Sequence, residues 1–388
     1  MTPEGDVVPL QRPRTDTLGI YVHVPFCTKK CYFCSFNTAP MDDGAMRRYL
    51  LALAREIDVL ATAPWASGIR IVSVFFGGGT PSLLSGDELA SVLSALRGRF
   101  AVDADAEVTV ESNPESLDAE KLRRYRDSGV SRISLGVQSM DDAILPAIGR
   151  LHDSGGAHAA FRACREAGFD NVSVDLMYGL PELDVTKWTR AIRAVLDWEP
   201  DHLSAYGMTL DEGSVWGATG VSGLPAEDAV VEQYWALANE ARARGFEHYE
   251  VSNYARAGRR SRHNQIYWKR GEYLALGPGA CGFVGDLRYA NVKPVARYAA
   301  LLDEGRLPID SAERLTAAQA LAEELFLGLR TAEGVPRERL DARVAATPAL
   351  RRRIDEWLAR GLMEADGARV RLSERGFLMS DALFVDLI

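Results

Sequence analysis

Along roughly the first two hundred residues, apolar and polar positions alternate in two rhythms. Short runs rich in Val and Ile at 19–24, 71–76, 107–111, 132–137, 172–177 and 202–206 predict strands, the first extending back to residue 18. Between them, apolar residues recur at helical spacing over 45–60, 86–97, 119–128, 156–167 and 185–196. Strands that alternate with crossover helices imply a parallel sheet of the α/β class. Six such repeats fit an open doubly wound sheet or an incomplete barrel, and periodicity alone does not choose between them. In either fold, loops at the carboxyl ends of the strands build the site.

The rhythm changes after residue 226. A helix is predicted over 227–244, followed by the run 246–254 and a Gly- and aromatic-rich stretch to 284. Helical spacing returns near Thr316, and the tail reads as helix (350–362), short strand (368–372) and helix (374–385), a winged-helix-like pattern. Such units bind DNA or serve as lids, and the acidic balance favours the lid. These shifts divide the chain into an arm over 1–17, an α/β unit over 18–225, an extension over 226–309 and a small C-terminal unit over 310–388.

Composition narrows the class. At 388 residues, with 47% hydrophobic and 26% charged residues, the chain is long enough for a sizeable core and ordinary for a soluble protein. No apolar stretch is long enough to span a bilayer, and residues 1–17 carry charges and prolines where a signal peptide would be apolar, so a cytoplasmic location is expected. A net charge of -9 argues against a broad nucleic-acid footprint. Arg351, Arg352 and Arg353 read as a solvated helix face.

The chemistry concentrates in Cys27, Cys31 and Cys34, a C-x3-C-x2-C run directly after the first predicted strand. Three thiolates on one short loop can hold three corners of a cubane iron-sulfur cluster and leave the fourth iron open. A disulfide framework is a poor reading for five cysteines in 388 residues. A Cys3His zinc site with His23 is the better rival. Cys164, in an Ala-rich helical run, reads as a small buried hydrophobe, while Cys281 has no evident role. In the Gly-rich turn Phe76-Gly77-Gly78-Gly79-Thr80-Pro81, backbone amides can approach a ligand closely. Asp175 lies within an apolar strand and needs a partner there, either a ligand or a neighbouring arginine.

The cysteine spacing and its flanks, Tyr21-Val22-His23-Val24-Pro25-Phe26-Cys27, resemble the radical S-adenosylmethionine (SAM) superfamily. The branch is that of oxygen-independent coproporphyrinogen III oxidase and the HemW-type heme chaperones, and the likeness runs from about Tyr21 to the C-terminus. It implies an incomplete (β/α)6 barrel with a C-terminal α+β extension, a 4Fe-4S cluster on the three cysteines, and SAM cleaved reductively to a 5'-deoxyadenosyl radical. By the same resemblance, Tyr21 and Phe33 border SAM and the cluster, and Gly78, Gly79 and Thr80 hold the methionine amino group. Glu111 and Gln138 supply polar contacts, Arg150 pairs with the SAM carboxylate, Asp175 faces SAM, and Ala205 contributes backbone. His23 either points at the cofactor or packs. His263, in His263-Asn264-Gln265-Ile266-Tyr267-Trp268, is similar to the histidine associated with heme in the chaperones; its alternative is a structural role closing the open side of the barrel.

Members of this branch differ outside the cysteine loop. The leading expectation is a HemW-type heme-binding chaperone, which implies a tetrapyrrole or other small molecule, apo-hemoprotein acceptors and an electron donor such as flavodoxin or ferredoxin. Coproporphyrinogen III dehydrogenase is disfavoured because Phe36 stands where those oxidases resemble a fourth cysteine. Ser35, Glu182 and Cys281 depart from the chaperone pattern. They keep open a class C radical SAM methyltransferase or cyclopropanase of secondary metabolism, with a second SAM. A non-enzymatic heme-binding scaffold is the remaining alternative.

Overall fold

The computed structural model describes residues 10–385; the first nine residues of the expected arm lie outside them. Six strands, β1 (Thr17–Val24), β2 (Arg70–Gly78), β3 (Ala101–Ser112), β4 (Arg132–Gln138), β5 (Val172–Tyr178) and β6 (His202–Gly207), lie side by side in chain order and run parallel. The predicted crossover helices join them: α1 (Asp43–Ala61), α2 (Gly86–Arg99), α3 (Ala119–Asp127), α4 (Ser154–Glu166) and α5 (Val185–Leu196). Each starts on a side chain that accepts a backbone N–H of the first turn: Asp42, Ser85, Asp118, Asp153 and Asp184. At α2, Glu88 answers Ser85 in a capping box. Strand β3 begins earlier than predicted, because its first half is polar and exposed and shows no apolar run.

The sheet does not stop at six strands. The antiparallel pair β7 (Glu247–Glu250) and β8 (Asn253–Ala255) extends it beyond β6. Beyond β1 it continues through β9 (Tyr273–Leu276), β10 (Cys281–Val284), β11 (Leu287–Asn291) and β12 (Ile309–Arg314). The ladder is 12-stranded and ends on two different strands, β7 and β12, so among the described residues the barrel is open. Between these additions, α6 (Glu227–Ala243) packs on α5, and the short α7 (Arg262–Trp268) contacts β2. Beyond β11, α8 (Val295–Asp303) packs on α1.

Strand β9 runs parallel to β1 and pairs Tyr21 with Ala275, so the extension braces the strand that leads into the cysteine loop. Buried Glu56 on α1 accepts Gly277 N–H at 2.8 Å, Asn291 Nδ2 at 2.7 Å and Tyr298 Oη at 2.5 Å, tying α1, the end of β9, β11 and α8 together. Gly277 has φ of 96°, and a Cβ there would stand 2.4 Å from the His23 carbonyl oxygen.

A second, smaller core lies between Leu325 and Phe384. It is built from α9 (Ala317–Gly328), α10 (Arg337–Ala346), α11 (Leu350–Ala359), α12 (Glu374–Leu378) and α13 (Ser380–Phe384) around a three-stranded antiparallel ladder. The ladder's strands are β13 (Val335–Pro336), β14 (Met363–Ala365) and β15 (Arg369–Leu372). The predicted helix over 350–362 ends at Ala359, and β14 follows. This unit meets the larger sheet by backbone pairing, Val251 N–H to Arg330 O at 3.0 Å and Ala332 N–H to Tyr249 O at 2.9 Å.

Candidate functional site

The carboxyl ends of β1 to β6 surround one cleft of about 410 Å³. The three cysteines of the loop after β1 line it, as do Phe33, Gly78, Gly79, Thr80, Glu111, Gln138, Arg150 and Asp175. Residues far apart in sequence therefore converge because most stand at the same end of the parallel strands, with Arg150 brought in by the loop between β4 and α4. Tyr21, Ala205 and His263 are not among the lining residues.

The cysteine loop is held from both sides. Gly79 N–H donates to Val24 O at 2.8 Å and Thr80 N–H to Phe26 O at 2.7 Å, and a Cβ on Gly79 would fall 2.5 Å from the Phe26 carbonyl oxygen. The Gly-rich turn thus packs on the loop's first residues, while Thr80 Oγ1 donates to Cys27 Sγ at 3.5 Å. At the far end, Asn37 Nδ2 donates to Pro278 O at 3.0 Å, and Ser35 Oγ reaches Asp211 at 2.9 Å. All five cysteines are free thiols. Burial pushes the Cys27 and Cys34 thiols up, so a metal would have to displace their protons.

His23 packs. Its Nδ1 bonds Tyr21 Oη at 3.0 Å and its Nε2 bonds Asn37 O at 2.9 Å, and burial lowers its pKa. The zinc reading needs this imidazole free for the thiols, and both its nitrogens are engaged elsewhere. Among the described residues, no three His, Cys, Asp or Glu side chains converge on a point that one ion could occupy.

Arg150 is buried, with Nη2 bonding the Gly136 carbonyl and Asn113 Oδ1 (2.9 Å) and Nη1 lying 3.7 Å from Cys31 Sγ. Its Nε and the Gln138 Oε1 are buried without a partner. Gln138 also holds φ of 67°, a left-handed conformation rare outside glycine, at the end of β4. Buried polar atoms without partners are the ones a ligand would satisfy.

Two carboxylates share the same wall. Burial first, then the charge on Asp175, push Glu111 up to about 8 against the bond it accepts from Gly78 N–H at 3.2 Å. Asp175 is also raised by burial, partly offset by serine hydroxyls and Arg132; Ser134 Oγ donates to it at 3.0 Å and Ser173 Oγ at 3.2 Å. A pair of acids that resists ionisation favours a ligand bearing positive charge, and Arg150 on the same cleft favours one bearing a carboxylate. A zwitterion with an added cationic centre beside three thiols suits both demands. These residues fit a cluster and SAM.

Three expected site residues stand outside the cleft lining. The Tyr21 hydroxyl is spent on His23, so this ring braces the cleft from behind. Ala205 is buried and its N–H serves Ser252 O at 2.8 Å; it is Tyr206, the next residue of β6, that lines the cleft. His263 is fully buried on α7, with Nδ1 bonded to Ser73 Oγ and Nε2 to Tyr267 Oη, both at 2.8 Å, and its ring stacked on Phe75. Burial lowers its pKa to about 3. It has no nitrogen free for iron, and the reading in which it closes the barrel's open side describes it. The sequence reading missed Asn113, which bonds both Arg150 and Thr80, and Ser134, which bonds Asp175. Strand parity was the available signal: Ser134 and Gly136 share a face with Gln138.

Comparison with known proteins gives the same picture. The radical SAM superfamily profile matches residues 21–194, and that of the HemN C-terminal domain matches residues 315–379. The heme chaperone HemW of Mycobacterium tuberculosis is 37% identical over 376 residues, covering 95% of this chain and 94% of that protein. HemW of Bacillus subtilis is 32% identical, covering 94% and 97%. Among solved structures, coproporphyrinogen III oxidase (HemN) from Escherichia coli superposes with a TM-score of 0.83 at 23% identity, covering 97% of this chain and 90% of that one. No helix among the described residues is long and apolar enough to cross a membrane.

Proposed function

Because the chain belongs to the radical SAM superfamily, in the branch of the HemW heme chaperones, we propose that it is an iron-sulfur protein that cleaves SAM and binds heme for delivery to other proteins. The observation that carries the first half is the convergence of three free thiols, Arg150, Glu111 and Asp175 on one cleft. In this reading Cys27, Cys31 and Cys34 hold a 4Fe-4S cluster, and Arg150 grips the SAM carboxylate. Glu111 and the 78–80 turn take its ammonium, and Gln138 and Asp175 bind the remaining polar groups. When bound, cluster and SAM supply a one-electron cleavage at the sulfonium. The protein's part is to orient the amino acid end, keep the thiolates together and screen the cleft from water. Residues 18–225 carry this chemistry, 226–309 brace its open side and 310–385 flank it.

The heme half rests on the family. The mouth of the cleft supports it: Phe36 and Tyr206 are exposed there, 60% and 44%, and offer flat apolar contacts to a tetrapyrrole. Lys29 and Lys30, exposed on the cysteine loop of an otherwise acidic chain, suit an acidic electron carrier such as flavodoxin or ferredoxin. His263 is left out of the assignment.

Anaerobic reconstitution with ferrous iron and sulfide should give brown protein that releases 5'-deoxyadenosine from SAM under a reductant, and heme titration should saturate with a shifted Soret band. Zinc in place of iron would overturn the first half. A heme titration indistinguishable from that of an unrelated acidic protein would overturn the second.

A further inference from the structure

Below the cleft floor, a line of buried polar side chains runs from Asp175 to the amino end of α7. Ser173 Oγ lies 3.2 Å from Asp175 Oδ1 and 2.8 Å from His202 Nδ1. His202 Nε2 lies 2.7 Å from Tyr249 Oη, and Ser261 N–H donates to that oxygen at 3.3 Å. Ser173, His202, Tyr249 and Ser261 are all fully buried, and none of them lines the cleft.

The proton on each group follows from the fixed end. A backbone N–H can only donate, so Ser261 makes the Tyr249 oxygen an acceptor. The phenol proton then needs an acceptor of its own, and among the described residues His202 Nε2 is the one that bonds it. With Nε2 accepting, a neutral imidazole carries its proton on Nδ1 and donates to Ser173 Oγ. The single Ser173 proton is thereby left for Asp175 Oδ1 at 3.2 Å, a nearer and charged acceptor than Ser204 Oγ at 3.5 Å. Burial, reinforced by Arg132, drives the His202 pKa down and keeps the ring neutral. The other charged or titratable groups around the line are Asp175 on β5, Tyr206 on β6, Glu250 beside Tyr249 on β7, Glu107 and Glu111 on β3, and Arg260, whose guanidinium lies 5.5 Å from the centre of the Tyr249 ring.

We propose that Tyr249 and His202 are positioning residues that hold the Ser173 hydroxyl as a fixed donor to Asp175, so that this carboxylate meets the cationic ligand ionised and in one orientation. The inference rests on the assignment of SAM to the cleft. No proton leaves the line; its polarity is set, and each member keeps one hydrogen.

Two measurements test it. In full-length protein labelled with 15N-histidine, the resonances lost in His202→Gln identify His202, and its ring is expected as the Nδ1–H tautomer. The Nε2–H tautomer would overturn the proposal. In the cluster-loaded protein, SAM binding is then followed by calorimetry across the neutral range. Tyr249→Phe frees Nε2, lets the ring adopt the other tautomer and draws the Ser173 proton away from Asp175. SAM affinity should fall about tenfold at neutral pH, and the midpoint of its pH profile should move upward. Ser173→Ala should do the same, and Ser173→Thr, which keeps the hydroxyl, should restore the parent profile. Loss of affinity by an equal factor at every pH would mean that Tyr249 only packs, and would overturn the proposal. If the parent protein binds no SAM, the assignment of the cleft fails, and the tautomer still decides this inference.

Discussion

Replacing Glu111 by Gln removes an ionisable carboxyl from the cleft while keeping the shape of the side chain. In the folded, ligand-free protein this carboxyl is held from 4.5 up to about 8, chiefly by burial and then by Asp175. The sign follows from linkage. Between those values the folded chain keeps a proton that the unfolded chain has lost, so stability is full below about pH 4.5 and falls as pH rises toward 8. Full linkage over that range corresponds to about 5 kcal/mol, and water entering the open cleft trims it to about 2–3 kcal/mol. Urea unfolding of metal-free protein should therefore show the parent losing about 2–3 kcal/mol more than Glu111→Gln between roughly pH 5 and pH 8.5. The variant should bind SAM more weakly, because the lost charge is the one that faces its cationic end. Parallel stability profiles for parent and variant would refute the reasoning, since they would mean that Glu111 ionises in the folded protein as it does in water.

Cys34→Ala should bring iron and sulfide incorporation to background with little change in the stability of the metal-free chain, as measured by metal analysis and thermal melting. Gly79→Ala should cost about 1–3 kcal/mol and impair cluster assembly, because its Cβ would meet the Phe26 carbonyl; unfolding midpoints and iron content read the two effects. Arg150→Lys should weaken SAM binding about tenfold or more in a calorimetric titration, since an ammonium cannot reproduce a fork that also braces Asn113 and the Gly136 carbonyl. His263→Ala should destabilise the fold by about 3 kcal/mol, leaving the Ser73 and Tyr267 hydroxyls without their partner.

The central strands were legible because β1, β2, β4 and β5 each carry a row of Val, Ile or Leu on at least one face and their helices begin on Asp or Ser caps. The strands beyond them were hidden for physical reasons. Tyr273–Leu276 has only four residues, and Cys281–Val284 and Leu287–Asn291 mix Gly, Ala and Tyr with polar residues, so no run stands out. In the site, the cysteines and Glu111 could be placed because they stand at or just past a strand's carboxyl end, whereas Asp175, within β5, and Arg150, in the loop between β4 and α4, were placed on the resemblance. Tyr21 and His23 could not, since a residue inside the barrel either meets the ligand or props its neighbour, and only the hydroxyl-to-imidazole bond decides that. His263 was left between two readings for the same reason: the motif fixes its helix, and its bonds to Ser73 and Tyr267 are visible only in the fold.

The neighbours of β1 come from opposite ends of the chain's history: one is formed by residues 70–78, the other by residues 273–276. A ribosome delivering this protein exposes the three thiols early and completes the second rail of their support only once residues 273–276 have emerged. The seat of the cysteine loop is therefore completed late in synthesis, and a truncated product ending before residue 273 would present its thiols without that second rail.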